Sequence, residues 1–285
     1  MKRLISTVAA LAAVVALGAC SGPTDTVEPT PSASAEAQAD LIPIETMAAL
    51  GDSMTLGVNA CGEPTPCTKA SWSTGSESGL DSIAQRIEEA TGTAPSVDNL
   101  AKTGVKISQM GGQVSAAIKE APDLVTVLVG NNDVCGSSTD EMTSVEAYRA
   151  AAASGLKALA GGLPSSVIYI SSVPDLAKLT DLMRSDSAAQ AVWARGNGCA
   201  TVTGADAPVS AVSERIEGYN AALSELCSQY SNCVFDDGAL FDFQPTAEDI
   251  STIDYFHVSK SGQHEIAAIA WGALEPALAT SSGRL

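Results

Sequence analysis

The chain has 285 residues and a formal charge of −18, and 45% of its residues are hydrophobic. A surface this acidic excludes nucleic acid as an expected partner and disfavours anionic lipid headgroups. The sequence has two histidines and no Cys-x-x-Cys spacing, so it supplies no evident metal site. We expect neither a metal nor a cofactor.

The first twenty residues have the pattern of an export signal. Lys2 and Arg3 precede an apolar run, residues 4–17, which is too short to span a membrane. The next residues, Leu17-Gly18-Ala19-Cys20, resemble the lipobox of bacterial lipoproteins, in which the cysteine becomes the lipidated first residue. The resemblance implies a lipoprotein signal peptide over residues 1–19 and lipidation of Cys20. A plain secretory signal remains the alternative.

Residues 20–41 are rich in Pro, Ser, Thr, Ala and acid, with few large apolar side chains. Such a segment buries too little surface to offset its ordering entropy. We expect a disordered tether here and one folded domain over residues 42–285. The chain would be exported, held at the outer face of the membrane through Cys20 or secreted, and monomeric.

Six cysteines follow Cys20, an even number that indicates three disulfides in an exported protein. Fifteen pairings are possible. We favour Cys61–Cys67 and Cys227–Cys233 because each pair brackets a short loop, which leaves Cys135 with Cys199.

Strand and helix patterns alternate along the domain, which is typical of a parallel sheet covered on both faces. The run Leu124-Val125-Thr126-Val127-Leu128-Val129 is the clearest central strand. The predicted strands cover residues 46–50, 96–100, 124–129, 167–170 and 233–235. The predicted helices cover residues 80–92, 107–119, 144–160, 213–230 and 262–278. Residues 175–212 show no clear period and are interpreted as an insertion with a short helix near 179–193.

Polar residues follow several of these strands. Ser53 comes after the first strand, Gly104 after the second and Asn132 after the third, and Asp254 and His257 precede the last helix. Sites in open parallel sheets lie beyond the carboxyl ends of the strands. We therefore expect these residues to meet at one edge of the sheet.

Their side chains match the requirements of acyl transfer. Ser53 is a candidate nucleophile and needs a base, which His257 or His264 could supply. His264 lies within a predicted helix and is interpreted as a partly buried structural residue. His257 lies in a loop three residues after Asp254, whose carboxylate could orient the imidazole. Each stretch, taken alone, is also compatible with an ordinary turn.

A tetrahedral intermediate also needs hydrogen-bond donors for its oxyanion. The candidates are the backbone N–H of Ser53, the backbone N–H of Gly104 and the side-chain amide of Asn132.

Four stretches, GDSMTLG with Ser53, NLAKTG with Gly104, GNND with Asn132 and DYFH with His257, resemble in order and spacing the four blocks of the SGNH (GDSL) hydrolases. The resemblance covers residues 45–275. It implies a flavodoxin-like α/β/α sandwich with a five-stranded parallel sheet. It also implies that Ser53 is the nucleophile, His257 the base, Asp254 the orienting residue, and Gly104 and Asn132 oxyanion donors. The six cysteines are similar to those of secreted actinobacterial lipases and esterases of this family.

These observations predict a serine esterase or lipase that acts on a small-molecule, lipid or glycan ester. A carbohydrate O-acetyl esterase and a thioesterase of the same fold remain alternatives, as does a non-catalytic surface lipoprotein that binds glycan or lipid. An α/β-hydrolase is a weaker alternative because the chain contains no Gly-x-Ser-x-Gly. Because aromatic residues make up only 4% of the chain, we favour short acyl groups.

Overall fold

A computed structural model describes residues 41–196 and 199–280. The expected signal peptide, Cys20 and nearly all of the tether lie outside the described residues.

Five parallel strands form one sheet with the order β2-β1-β3-β4-β5. The strands are β1 (Thr46–Gly51), β2 (Ser96–Asn99), β3 (Leu124–Leu128), β4 (Val167–Ile170) and β5 (Cys233–Phe235). All five residues of β3 are buried, as expected for a central strand covered on both faces. The predicted fold class is confirmed.

Two groups of helices cover the sheet. The helices are α1 (Ile83–Thr91), α2 (Gly111–Glu120), α3 (Val145–Gly162), α4 (Leu176–Met183), α5 (Ser187–Trp193), α6 (Ala200–Thr203), α7 (Val209–Cys227), α8 (Ala239–Asp242) and α9 (Lys260–Leu278). Helix α3 packs against α2 and α7, whereas α9 packs against α1 and α8. The apolar sides of both groups enclose the core with the sheet.

Most predicted boundaries agree with the structure to within a few residues, but two helices begin at a different residue than predicted. Helix α2 begins at Gly111 rather than at residue 107, because residues 107–109 form a separate 3-10 turn. Helix α7 begins at Val209 rather than at residue 213.

The prediction of one short helix near 179–193 is wrong. Two helices, α4 and α5, occupy this range, and α6 follows them. The break occurs at Asp186, whose side chain accepts hydrogen bonds from the N–H groups of Ala188 and Ala189. A side chain that caps a helix in this way starts a new helix instead of continuing the old one.

Three disulfides join Cys61 to Cys67, Cys135 to Cys199 and Cys227 to Cys233, the pairing favoured from the sequence. Two of them join cysteines six residues apart. The third, Cys135–Cys199, joins residues 64 apart and attaches α6 to the segment after β3. Disulfides form in oxidising compartments, so they indicate an extracellular or secreted protein.

Within residues 41–196 and 199–280, no helix combines the length and apolar character needed to cross the membrane.

Candidate active site

The turn that carries Ser53 begins where β1 ends. Gly51 has φ of +149°, and a Cβ at this position would lie 2.3 Å from the carbonyl oxygen of Leu128. Only glycine allows the strand to end so close to its neighbour. Ser53 follows two residues later and is 7% exposed.

Two buried glutamines hold this turn from neighbouring helices. The Gln113 side chain accepts from the N–H of Gly51 at 2.8 Å and donates to its carbonyl at 2.9 Å. The Gln263 side chain donates to the carbonyl of Met54 at 2.8 Å and accepts from the N–H of Trp72 at 2.8 Å. The sequence analysis missed both residues. The available signal was a polar residue on a buried helix face, since Gln263 precedes the buried Ile266 at helical spacing.

Ser53, His257 and Asp254 form a continuous chain of hydrogen bonds. The Oγ of Ser53 lies 2.8 Å from Nε2 of His257, and Nδ1 of His257 lies 2.5 Å from Oδ2 of Asp254. With the Nδ1 proton directed at a carboxylate, Nε2 is left to accept the hydroxyl proton of Ser53. The arrangement has the geometry required of a nucleophile, its base and an orienting acid.

The surroundings of Asp254 favour its ionised form. Burial acts to raise the pKa of this carboxyl, but hydrogen bonds from the His257 ring and from the N–H groups of Phe256 and His257 outweigh burial and lower the pKa. The ionised carboxylate can stabilise an imidazolium while His257 carries the proton of the nucleophile.

Local backbone geometry brings Asp254 and His257 together. Tyr255 adopts a left-handed conformation with φ of +56°, which is uncommon for a bulky residue. The loop is fastened at its base by Ser251, whose N–H donates to the carbonyl of His257 at 2.8 Å. The resulting tight turn points the side chains of Asp254 and His257 at each other.

The oxyanion candidates lie on connected turns. Gly104 has φ of +75°, a conformation that glycine adopts readily. In the described part of the chain, the N–H groups of Ser53 and Gly104 have no hydrogen-bond acceptor. Lys102, near Gly104, donates its N–H to the carbonyl of Gly51 at 3.1 Å, which ties the turn after β2 to the nucleophile turn.

The Asn132 amide is already occupied. Its Nδ2 donates to Oδ2 of Asp52 at 3.2 Å and to the carbonyl of Val105 at 3.1 Å. The side chain therefore joins the Ser53 turn to the Gly104 turn, and it must exchange or share one of these bonds to reach an oxyanion.

Two fully buried acids lie beneath the site, and the sequence analysis gave them no role. Burial raises the pKa of Asp52 to about 6. The N–H of Met54, which donates to Oδ1 at 2.9 Å, acts to lower this pKa but does not outweigh burial. Burial likewise raises the pKa of Asp133, whose Oδ2 accepts from the N–H of Ile107 at 2.9 Å. A carboxyl whose charged form is this poorly solvated destabilises the fold near neutral pH.

His264 lies away from this cluster, in the partly buried helical position expected for it. Its Nδ1 lies 3.0 Å from the carbonyl of Leu80 and 3.6 Å from the carboxylate of Asp81. Of the two histidines, only His257 is in contact with Ser53.

The family of the chain follows from a comparison with models of known families. Residues 49–264 match the model of the GDSL-like Lipase/Acylhydrolase family. The chain belongs to this family. The resemblance seen in the four motifs is thereby confirmed, and the chain is identified as an ester hydrolase.

Solved structures support the same fold. A candidate GDSL-like lipase from Parabacteroides merdae superposes with a TM-score of 0.55 at 19% identity, covering 83% of this chain and 98% of that one. The esterase EstA from Pseudoalteromonas gives a TM-score of 0.51 at 12% identity, covering 82% and 98%. A family 3 carbohydrate esterase from Clostridium thermocellum gives 0.50 at 16% identity, also covering 82% and 98%. A search of curated proteins finds no significant match.

Proposed function

We propose that the chain is an extracytoplasmic serine esterase that works through an acyl-enzyme on Ser53. The observation that carries the proposal is the unbroken hydrogen-bond chain from the Ser53 hydroxyl through His257 to Asp254. Membership of an acylhydrolase family supports the same chemistry.

The reaction would proceed in two balanced halves. The Ser53 oxygen attacks the ester carbonyl while Nε2 of His257 takes the hydroxyl proton. The tetrahedral intermediate collapses, the bond to the alcohol oxygen breaks, and His257 gives its proton to that oxygen. A water then attacks the acyl-enzyme with the same base, which releases the carboxylic acid and restores Ser53.

The oxyanion would be stabilised by the N–H groups of Ser53 and Gly104. Neither donates within the described residues, so both are available to a substrate oxygen. Asn132 would supply a third donor by moving one N–H from Asp52 or Val105 to the oxyanion. Loss of one such donor typically lowers turnover about 10²–10³-fold.

The substrate we propose is an ester with a short acyl group. In the described chain, the exposed large hydrophobic side chains are Val97 and Leu182, at 39% and 41% exposure. Two scattered residues do not form the broad apolar surface that a lipid interface would require.

The cellular location we propose combines the disulfides with the motif at Cys20. Three disulfides support export, and the lipobox resemblance supports attachment through a lipidated Cys20. More than one acyl chain would make such attachment stable. Cells fed an alkyne-labelled fatty acid should label the wild-type chain and not Cys20→Ala, and equal labelling would contradict the anchor.

Substitution of the nucleophile tests the enzymatic proposal. Ser53→Ala should abolish hydrolysis of p-nitrophenyl acetate while the circular dichroism spectrum and melting temperature stay close to wild type. Turnover that survives the substitution would overturn the assignment of Ser53.

A further inference from the structure

Asp52 is a buried carboxyl that the proposed reaction leaves without a role. Its side chain is fully buried and directly precedes the nucleophile, Ser53. Each of its two oxygens accepts an N–H group, Oδ1 from the backbone of Met54 at 2.9 Å and Oδ2 from the side chain of Asn132 at 3.2 Å. The Asp52 carboxyl therefore joins the turn that carries the nucleophile to a candidate oxyanion donor.

The charge of this carboxyl is poorly compensated. Burial is the largest influence on the pKa of Asp52 and raises it to about 6. The N–H of Met54 and the His257 ring act to lower this pKa, whereas the nearby carboxyl of Asp133 adds to the increase. In the part of the chain that the structure describes, no Lys or Arg forms an ion pair with Asp52. A buried charge without such a partner weakens a fold, and groups of this kind are concentrated at functional sites.

The bond to Asp52 is one of two that hold the Asn132 amide. The Nδ2 atom carries two protons, and it donates to Oδ2 of Asp52 and to the backbone carbonyl of Val105, at 3.2 Å and 3.1 Å. An ionised carboxylate forms a stronger hydrogen bond than a neutral carbonyl. The bond to Val105 is therefore the easier of the two to exchange, and the bond to Asp52 fixes the direction of the amide.

We propose that Asp52 is a positioning residue for ester hydrolysis, and that its carboxylate holds the Asn132 amide in place for the oxyanion of the tetrahedral intermediate. The inference rests on the proposed function. As the oxyanion forms, the N–H of Asn132 that donates to Val105 turns to the oxyanion, while the N–H that donates to Asp52 stays where it is. Asp52 contacts no reacting atom, so its effect on the rate passes through Asn132.

Replacing the carboxylate with an amide tests the proposal. Asp52→Asn keeps the size of the side chain but leaves one acceptor for two N–H donors, so Met54 and Asn132 cannot both be bound. We expect kcat for p-nitrophenyl acetate to fall about 10- to 100-fold, less than for loss of a whole oxyanion donor, with KM little changed. The melting temperature at pH 7 should not fall, because the change removes a poorly solvated charge. A residue with only a structural role would show the opposite pattern.

A double-mutant cycle shows whether the effect passes through Asn132. Asn132→Ala should lower kcat about 10²–10³-fold. Asp52→Asn in the Asn132→Ala background should then cause little further loss, because the group that it positions is absent. If Asp52→Asn does not fold, Asp52→Ser takes its place in the cycle. A Ser hydroxyl can accept from the N–H two residues on, at Met54, but it does not extend to Asn132.

The matched control is the other buried acid beneath the site. Asp133→Asn makes the same chemical change next to Asn132, but Oδ2 of Asp133 accepts from the N–H of Ile107 and not from the Asn132 amide. Its effect on kcat should be the same in the wild-type and the Asn132→Ala backgrounds.

Three results would overturn the proposal. These are an unchanged kcat in Asp52→Asn, a rise in KM without a fall in kcat, and an equal loss of kcat from Asp52→Asn with and without the Asn132 amide. Each of them leaves the proposed function standing, because the wild-type chain is still an active esterase. A wild-type chain that hydrolyses no ester would overturn the proposed function, and the inference with it.

Discussion

The Asp254–His257 loop and the insertion of residues 175–212 reach the same site by opposite means. Asp254 and His257 are three residues apart, and the turn at Tyr255 is enough to join them. The insertion is joined to the site by contacts between residues 61 and 64 positions apart, namely Trp193 with Asp254 and Cys135 with Cys199. The contact between base and orienting acid is therefore encoded locally, whereas the attachment of the insertion depends on tertiary contacts.

The largest effect on activity should come from a change in the Asp254–His257 loop. His257→Gln removes the base and should lower kcat by about 10⁴-fold or more, as for other members of catalytic triads. The matched change at the second histidine, His264→Gln, should leave kcat near wild type because His264 contacts Leu80 and Asp81 rather than Ser53. Steady-state kinetics on p-nitrophenyl acetate compares the two variants. Similar losses in both would contradict the assignment of His257.

The disulfides allow a test of how the insertion is held. Removing Cys135–Cys199 by a double change to Ala should lower the free energy of unfolding by about 4 kcal/mol, because the disulfide joins residues 64 apart. The same change at Cys61 and Cys67, which are six apart, should cost about 2 kcal/mol. Urea denaturation measures both. The two losses should differ by about 2 kcal/mol, and equal losses would contradict the dependence on the length of chain that each disulfide closes.

The buried acid next to the nucleophile gives a pH-dependent effect. Burial raises the pKa of Asp52 from 3.8 to about 6, so between these values the folded chain holds a proton that the unfolded chain has lost. The free energy of unfolding contributed by Asp52 therefore falls as pH rises from about 4 to about 6 and stays low above that.

Asp52→Asn removes this charge and should raise the free energy of unfolding at pH 7 by up to about 3 kcal/mol, with the gain shrinking toward pH 4. Asp98→Asn, at an exposed position, is the control for the loss of a negative charge. Melting curves from pH 4 to pH 7 give the comparison. A difference between Asp52→Asn and wild type that does not vary with pH would contradict the role of burial.

The smallest effect on activity should come from the hydrogen bond between Trp193 of the insertion and Asp254. Trp193→Phe keeps an aromatic wall but leaves the carbonyl of Asp254 without its indole donor. The loss of one such bond should lower kcat about three- to tenfold. Steady-state kinetics on p-nitrophenyl acetate measures the change, and KM should change little because Trp193 contacts Asp254 rather than Ser53. Trp271→Phe, in α9, serves as the control, and a pure rise in KM would show that Trp193 does not position Asp254.

The sequence predicted the elements whose signals are local. The apolar and β-branched run of β3, the cap at Ser144 that begins α3 and the glycine that ends α1 all reflect residues within one turn or strand. The motif positions of Ser53, Gly104 and Asn132 follow strand ends in the same way, whereas His257 lies in the loop before α9. The first three loops are brought to one edge because parallel strands share a direction.

The residues that hold the site could not be predicted in the same way. Gln113 and Gln263 contact the nucleophile turn from helices that are distant in sequence, and no local pattern identifies their partners. The engagement of Asn132 with Asp52 depends on the packing of two loops. The break between α4 and α5 was missed because residues 175–212 show no clear period, and it depends on the Asp186 side chain, which caps a new helix.

The proposed function depends on Ser53 as the group that attacks the substrate. The most direct measurement is the intact mass of the protein after treatment with a fluorophosphonate, followed by peptide mapping. One phosphonyl group should be found per chain, on Ser53, and labelling should disappear in His257→Gln but persist in His264→Gln. An unlabelled wild-type protein, or a label on any other residue, would contradict the role of Ser53 as the nucleophile.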